Sequence, residues 1–252
     1  MARVDIDAIQ LFRYILPLER PLVLRGQTLH ERRGLLIRIS GDGSVHGWGE
    51  VAPLPGFSNE SLEKAEAQAR KLRFSLTGSA IPNNLEELSG GFEQWLGPHE
   101  LSPSVRCGIE LAVLHLLANP LERTLASLLS DSARAKVSVN ALLPLDSDRP
   151  DIQISRLLDN GYRAVKVKVG KGAIDDEINR VSQVCDAAGG RLPVRLDANR
   201  AWSYDDAIRF LGAIADLRVE YIEEPLRDPS RLPELVSRTG VPVALDETLC
   251  DL

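Results

Sequence analysis

Lys166 and Lys168 stand two residues apart in the run Ala164-Val165-Lys166-Val167-Lys168-Val169. Acids close three later apolar runs: Asp197 after Val194-Arg195-Leu196, Glu223 after Tyr221-Ile222, and Asp246 after Val243-Ala244-Leu245. In an extended strand residues two apart share a face, so both ammonium groups point one way and Val165, Val167 and Val169 the other. Like charges held that close resist double protonation, and partial burial lowers a lysine pKa further from its free value of about 10.4. One of the two lysines is then a candidate base near neutral pH, unless the strand is a surface strand with its polar face in water. Asp197, Glu223 and Asp246 are oxygen donors with no His or Cys at comparable positions, and three such acids repel one another unless a cation binds. Hard oxygen ligands with room for water suit Mg2+, with Mn2+ as an alternative. A divalent ion beside a lysine base fits one reaction type well: removal of the proton next to a carboxylate, the ion absorbing the charge that builds on the oxygens.

The elements that must position these groups are read from the spacing. Lys168 to Asp197 is 29 residues, Asp197 to Glu223 is 26, and Glu223 to Asp246 is 23, one strand-helix unit each time. Strands joined through helices run parallel and end on one rim. Acids after strands also serve as helix N-caps or loop charges, and that reading stays open for each acid singly. Val137–Leu142 reads as a further strand, Ile152–Asn160 as a helix closed by Gly161, and Ile174, Ile178, Val181, Cys185 and Ala188 as one helix face behind the acidic turn Asp175-Asp176-Glu177. Ser203 with Asp206 starts another helix, buried through Ala207, Phe210, Leu211 and Ile214, and Leu232, Leu235 and Val236 mark a shorter one. Strands filled with Val and Leu suit a parallel sheet covered on both faces, and a barrel or an open α/β sheet would both fit.

The first third reads differently. Leu35, Ile37 and Ile39 alternate with Leu36, Arg38 and Ser40, Gly41-Asp42-Gly43 supplies a turn, and Val45–Glu50 offers the returning strand of a hairpin. Ile6–Leu16 can add a strand. Leu62, Ala65, Ala69, Leu72 and Leu76 fall at helical spacing, as do Val105, Ile109, Ala112, Val113 and Leu116, and these two helices would cover an antiparallel sheet. Residues 77–103 look like a loop with one short helix. Two loops invite a functional reading: Arg20–His30, with Arg25-Gly26, and Pro53–Ser58. Either one is a lid, or Pro and Gly turn the chain while Leu54 and Phe57 plug a core.

Composition narrows the function classes. The chain has 252 residues, 44% of them hydrophobic, and a net charge of −6 with no basic run long enough to track a phosphate backbone, which argues against nucleic acid as a partner. No apolar segment approaches the roughly 18 residues of a membrane span and none marks a signal peptide, so a soluble cytoplasmic protein with no membrane partner is expected. Cys107, Cys185 and Cys250 are far apart with no CxxC spacing and read as small core residues.

Lys-Val-Lys, Leu196-Asp-Ala-Asn-Arg-Ala-Trp202, Ile222-Glu-Glu-Pro225 and Leu245-Asp-Glu-Thr248 resemble the successive barrel-strand motifs of the enolase superfamily, which uses a Lys or His base with Mg2+. Gly47-Trp48-Gly49-Glu50 followed by Pro53–Ser58 most resembles, within it, the o-succinylbenzoate synthase family of menaquinone biosynthesis. The resemblance runs from about residue 10 to the last residue. It implies an α/β protein of enolase-superfamily type: an N-terminal α+β capping domain, 1–132, and an incomplete (β/α) TIM-type barrel, 133–252, with about five of the eight strands such a barrel has. It also implies Lys168 as the acid/base, Lys166 as a holder of the substrate carboxylate, Asp197, Glu223 and Asp246 as Mg2+ ligands, and Asn199, Glu224 and Arg195 as supports behind them. Arg25, Pro55, Gly56, Phe57 and Ser58 would lie on loops that close over the succinyl side chain of the substrate. The implied reaction converts 2-succinyl-6-hydroxy-2,4-cyclohexadiene-1-carboxylate to o-succinylbenzoate with loss of water. Other superfamily activities (dipeptide epimerase, N-acylamino acid racemase, muconate cycloisomerase) would use the same metal site, and a catalytically inactive truncated protein that binds a metal or a partner is the alternative from another class.

Overall fold

A computed structural model describes residues 4–24, 27–41, 45–82, 90–145 and 148–250. The chain divides into two compact units, Met1–Ala135 and Lys136–Leu252.

The first unit is an antiparallel sheet in the order β1 (Ile6–Leu24), β2 (Gln27–Gly41), β3 (Val45–Val51). Helices α1 (Leu62–Leu76), α2 (Gly91–Leu96), α3 (Pro103–Ala118) and α4 (Leu125–Leu129) complete it. The period-two pattern of β2 buries Leu35, Ile37 and Ile39 completely and leaves Leu36 exposed. Ala65, Ala69, Leu72 and Leu76 of α1 and Val105, Ile109, Ala112, Val113 and Leu116 of α3 join the same core. The Ser61 hydroxyl caps α1 by accepting from the Lys64 amide at 3.3 Å.

Backbone contact between β3 and α3 explains the Gly-Trp-Gly motif. A Cβ at Gly47 would lie 1.9 Å from the Ala112 carbonyl oxygen, one at Gly49 1.8 Å from that of Gly108, and one at Gly108 2.5 Å from Val51 Cγ2. Only glycine lets strand and helix approach this closely.

Two expectations change in this unit. β1 continues past Leu16 to Leu24, so Arg20–His30 is largely a hairpin arm, re-paired as Leu22↔Leu29 and Leu24↔Gln27 after a register shift beyond Pro17. Proline has no amide to donate, and the ladder resumes where ordinary residues return. Cys107 is exposed rather than buried, because it falls on the face of α3 opposite Val105, Ile109 and Ala112; Cys185 is half-buried. The side chain of Cys250 lies outside the described residues.

The second unit alternates β4 (Asn140–Leu143), α5 (Pro150–Asp159), β5 (Ala164–Lys168), α6 (Ile174–Ala188), β6 (Val194–Asp197), α7 (Tyr204–Ala213), β7 (Val219–Glu223), α8 (Leu232–Thr239) and β8 (Val243–Ala244). All pairs are parallel and the order is β4-β5-β6-β7-β8. Each strand lies beside its predecessor, so right-handed crossovers put every helix on one face, as in a (β/α) barrel and unlike an open doubly wound sheet. Covering is therefore one-sided, contrary to the reading from Val and Leu content. Val165, Val167, Val194, Leu196 and Ile222 are buried among Val181, Ala207, Phe210, Leu211 and Leu235 of the helices, while Leu142, Lys166, Lys168, Arg195, Tyr221 and Glu223 alternate with them as exposed or half-buried residues. The first strand starts at Asn140, not Val137, whose side chain is exposed together with that of Val139. Among the described residues no helix is long and apolar enough to cross a membrane.

Gly49→Ala should force β3 off α3 and cost about 1–3 kcal/mol or more. Urea unfolding of the full chain checks this: an unchanged midpoint would mean that the close backbone approach is not a constraint on the fold.

Candidate active site

Register assembles the site. Lys168, Asp197, Glu223 and Ala244 are successive Cα partners across β5 to β8, and one row lower Lys166 pairs with Arg195 and Arg195 with Tyr221. The ladder then continues beyond the strands, with the Val169 amide on the Asp197 carbonyl (2.9 Å), Ala198 on Glu223 (3.0 Å) and Glu224 on Ala244 (3.1 Å).

From its lower row Lys166 reaches up between two acids. Its Nζ donates to both oxygens of Glu223 at 2.8 Å and stands 2.9 Å from Asp197 Oδ2. Lys168 Nζ lies 3.6 Å from the same Asp197 oxygen and donates to Asn199 Oδ1 at 2.7 Å. The Asp197 side chain is 2% exposed and that of Lys168 39%. Burial alone would push the Lys166 ammonium down, as expected from sequence, but the hydrogen bonds and charges of Glu223 and Asp197 outweigh it and its pKa is raised. Lys166 is thus held as a cation by the two acids. Lys168 is the more exposed of the two lysines and has a neutral amide as its close partner.

Glu224, the second acid of Ile-Glu-Glu-Pro, is fully buried. Its Oε1 accepts from the amides of Asp246 and Thr248, each at 2.7 Å, and its Oε2 accepts from Thr248 Oγ1 at 2.7 Å and Arg200 Nε at 3.1 Å. Burial raises the carboxyl pKa, but these four donors overcome it and the net shift is downward. Asn199, Arg200 and Glu224 all have positive φ, 43°, 60° and 44°. Such non-glycine conformations cost on the order of 1 kcal/mol or more each and persist where surrounding bonds over-determine them. The Asn199 side-chain amide also reaches Glu247 Oε1 at 3.2 Å, leaving the buried Glu247 Oε2 without a partner among the described residues.

The remaining candidates separate. Arg195 is engaged one row below the acids, with Nε on Glu220 at 2.7 Å, a terminal nitrogen on Asn140 at 3.3 Å and its guanidinium 5.3 Å from the Tyr221 ring centroid. Asp246 is exposed past the end of β8, its amide tied to Glu224. Among the described residues no three His, Cys, Asp or Glu side chains converge closely enough to hold a metal ion. The Asp197–Glu223 pair nevertheless fits a hard divalent cation in kind: two oxygen-donor acids that already share one positive charge. In the first unit, Pro55, Gly56, Phe57 and Ser58 form a turn closed by the Ser58 amide on the Leu54 carbonyl (2.8 Å) and the Leu54 amide on Ser58 Oγ (2.9 Å). Phe57 is exposed and plugs no core. Pro55, Gly56 and Ser58 line, with Gln27 to Arg33, a cavity of about 660 Å3. Arg25 lies outside the described residues. Sequence reading missed Arg200 and Thr248 as partners of Glu224; their only signal was their place inside the Leu-Asp-Ala-Asn-Arg-Ala-Trp and Leu-Asp-Glu-Thr runs.

Comparison with known proteins follows the same division. Residues 152–252 match the family model described as Enolase C-terminal domain-like, and residues 6–116 match MenC, N-terminal domain. The chain is 32% identical to the o-succinylbenzoate synthase of Pasteurella multocida, over 96% of this chain and 65% of that protein. It is 32% identical to that of Aliivibrio salmonicida, over 96% and 67%. It thus spans about two thirds of the length of these curated relatives. Among solved structures it superimposes on an o-succinylbenzoate synthase from Thermosynechococcus elongatus, complexed with Mg in the active site, with a TM-score of 0.69 at 23% identity, covering 95% of this chain and 68% of the other.

Glu224→Gln should cost about 1–3 kcal/mol, since buried donors lose their charged acceptor. Hydrogen exchange should show the Asp246 and Thr248 amides losing protection first. Because the folded pKa of Glu224 is depressed, its contribution is present above the unfolded value of about 4.3 and is lost as pH falls through the lower folded value. The variant should therefore show a shallower acid limb of stability, and an unaltered limb with unaltered exchange would refute the clamp.

Proposed function

The chain belongs to the o-succinylbenzoate synthase family of the enolase superfamily, and from that membership we propose that it is a divalent-metal-dependent hydro-lyase acting on 2-succinyl-6-hydroxy-2,4-cyclohexadiene-1-carboxylate. The observation that carries this reading is the Lys166 ammonium 2.8–2.9 Å from Glu223 and Asp197 with Lys168 3.6 Å from the same Asp197 oxygen, all at the carboxyl ends of parallel strands. Lys168 takes the proton from the ring carbon bearing the carboxylate. The C–O bond of the ring hydroxyl then breaks, the hydroxyl leaves as water with the proton that Lys168 returns, and the ring becomes aromatic. Lys166 stays protonated and holds the substrate carboxylate, whose oxygens gain negative charge as the proton leaves.

Asp197 and Glu223 would hold Mg2+, with Mn2+ able to substitute and with Asp246, which the described structure does not bring to them, as the third ligand that the family resemblance implies; the bound ion would supply Lewis-acid stabilisation of that charge. Glu224 fixes the backbone that carries Asp246, and Asn199 orients the Lys168 amine. The named relatives are o-succinylbenzoate synthases, and a Mg ion occupies the active site of one solved neighbour, which supports the cofactor assignment.

Incubating the full chain with Mg2+ and the cyclohexadiene substrate should give the aromatic product, followed by absorbance. Chelation should abolish turnover and Mg2+ restore it. Lys168→Ala should lower kcat by about 10²–10⁴-fold. Product formation that survives that substitution would end the assignment of Lys168, and its absence in the unaltered chain would favour an inactive binding protein.

A further inference from the structure

Beside Lys168, between the end of β4 and the first turns of α6, lies a cavity of about 500 Å3 that the reaction described above does not use. That volume is in the range of small-molecule sites. One wall is apolar, made by Leu142, Leu143 and Leu145, and Lys168 lines it as well. Lys171 and Arg180 also line it, both exposed, and no ion pair to either is found among the described residues.

Two acids share the lining. Asp176 is exposed at the same opening. Glu177 is buried, and its carboxylate accepts from the backbone amides of Gly170 (2.8 Å), Lys171 (2.8 Å) and Gly172 (2.9 Å). Glu177 therefore occupies the backbone donors that would otherwise cradle a phosphate. An anion entering here meets side-chain cations, not a nest of amides, which favours a carboxylate. The leucine wall asks for an apolar stretch between that carboxylate and the group handled by Lys168.

We propose that this cavity is a substrate subsite: it takes a second carboxylate, carried on a short apolar arm, with Lys171 and Arg180 as the residues that select for it. The inference rests on the hydro-lyase reading and deepens it, because it assigns the distal carboxylate of the succinyl arm to the β5–α6 loop and α6. Lys171 and Arg180 are specificity residues that touch the arm and not the reacting atoms.

The test measures binding to the full chain with Mg2+ by calorimetry, using o-succinylbenzoate and 2-butanoylbenzoate, which keeps the arm but lacks its terminal carboxylate. The unaltered chain should bind o-succinylbenzoate about tenfold or more tightly than the analogue. Lys171→Met and Arg180→Gln should each weaken o-succinylbenzoate several-fold, the double variant should erase the preference, and binding of 2-butanoylbenzoate should not change. Turnover by these variants should show a raised KM with kcat retained. Both side chains are exposed, so the unfolding midpoint should stay put and serves as the folding control. A preference that persists in the double variant, or no preference in the unaltered chain, overturns the subsite while dehydration by the unaltered chain stands. Failure to bind either ligand, with no turnover, overturns the hydro-lyase reading and the subsite with it.

Discussion

Acids withdrawn from water need a positive partner, and the carboxyl ends of β5, β6 and β7 are organised by that requirement. Asp197 is 2% exposed and Glu223 12% exposed, and one ammonium, Lys166, serves both. Taking such groups from water costs several kcal/mol per ion unless the geometry of the pair is good. Here it is good because strand register stacks the two acids in one row and starts the lysine one row lower, so that its four-carbon stem spans the step. An acid pair built around one cation can exchange that cation's share of charge for a divalent ion, whereas an apolar pair of the same shape could not. The arrangement is thus better explained by function than by stability, since replacement of a buried ion pair with apolar residues is often neutral or stabilising.

Glu224 carries the next level of order. Its carboxylate binds the backbone of one rim segment at Asp246 and Thr248 and the side chain of another at Arg200, while its own backbone oxygen accepts from the Arg200 amide at 2.6 Å. Three segments that are distant in sequence are tied through one residue. The left-handed conformations of Asn199, Arg200 and Glu224 are the strain that this arrangement holds in place, and they aim the Asn199 side chain at Lys168. The positions of the Asn199 side chain that meets Lys168 and of the Asp246 backbone therefore depend on Glu224.

What was legible in the chain follows from periodicity. Period two put Lys166 and Lys168 on one face, the regular spacing of strand ends put Asp197 and Glu223 on the same rim, and helical spacing marked the buried faces of α1, α3, α6 and α7. Quantities set by partners across the fold were not legible. Nothing in the letters shows that Lys166 would meet two acids and rise in pKa rather than fall, that Arg195 would turn to Glu220 and Asn140, or that Asp246 would be fixed through its amide. The length of β1 was missed for a local reason: Pro17 looks like a stop, yet the ladder shifts register and resumes.

The two lysines show how small a step along one strand gives the same side chain two different environments. They share a strand, a face and a side chain, and differ by one step of about 7 Å along β5. The lower one is caught between Asp197 and Glu223, whose negative charge favours its protonated form. The upper one stands level with Asp197, makes its short contact with a neutral amide, and lines the cavity beside β4 and α6. Of the two, the upper amine is the more exposed and is free of a two-oxygen bond to one acid, and for that reason the proposed reaction gives it the proton transfer. The same step leaves the lower lysine a fixed cation between two acids, which suits the part that the proposed reaction gives it as a holder of the substrate carboxylate.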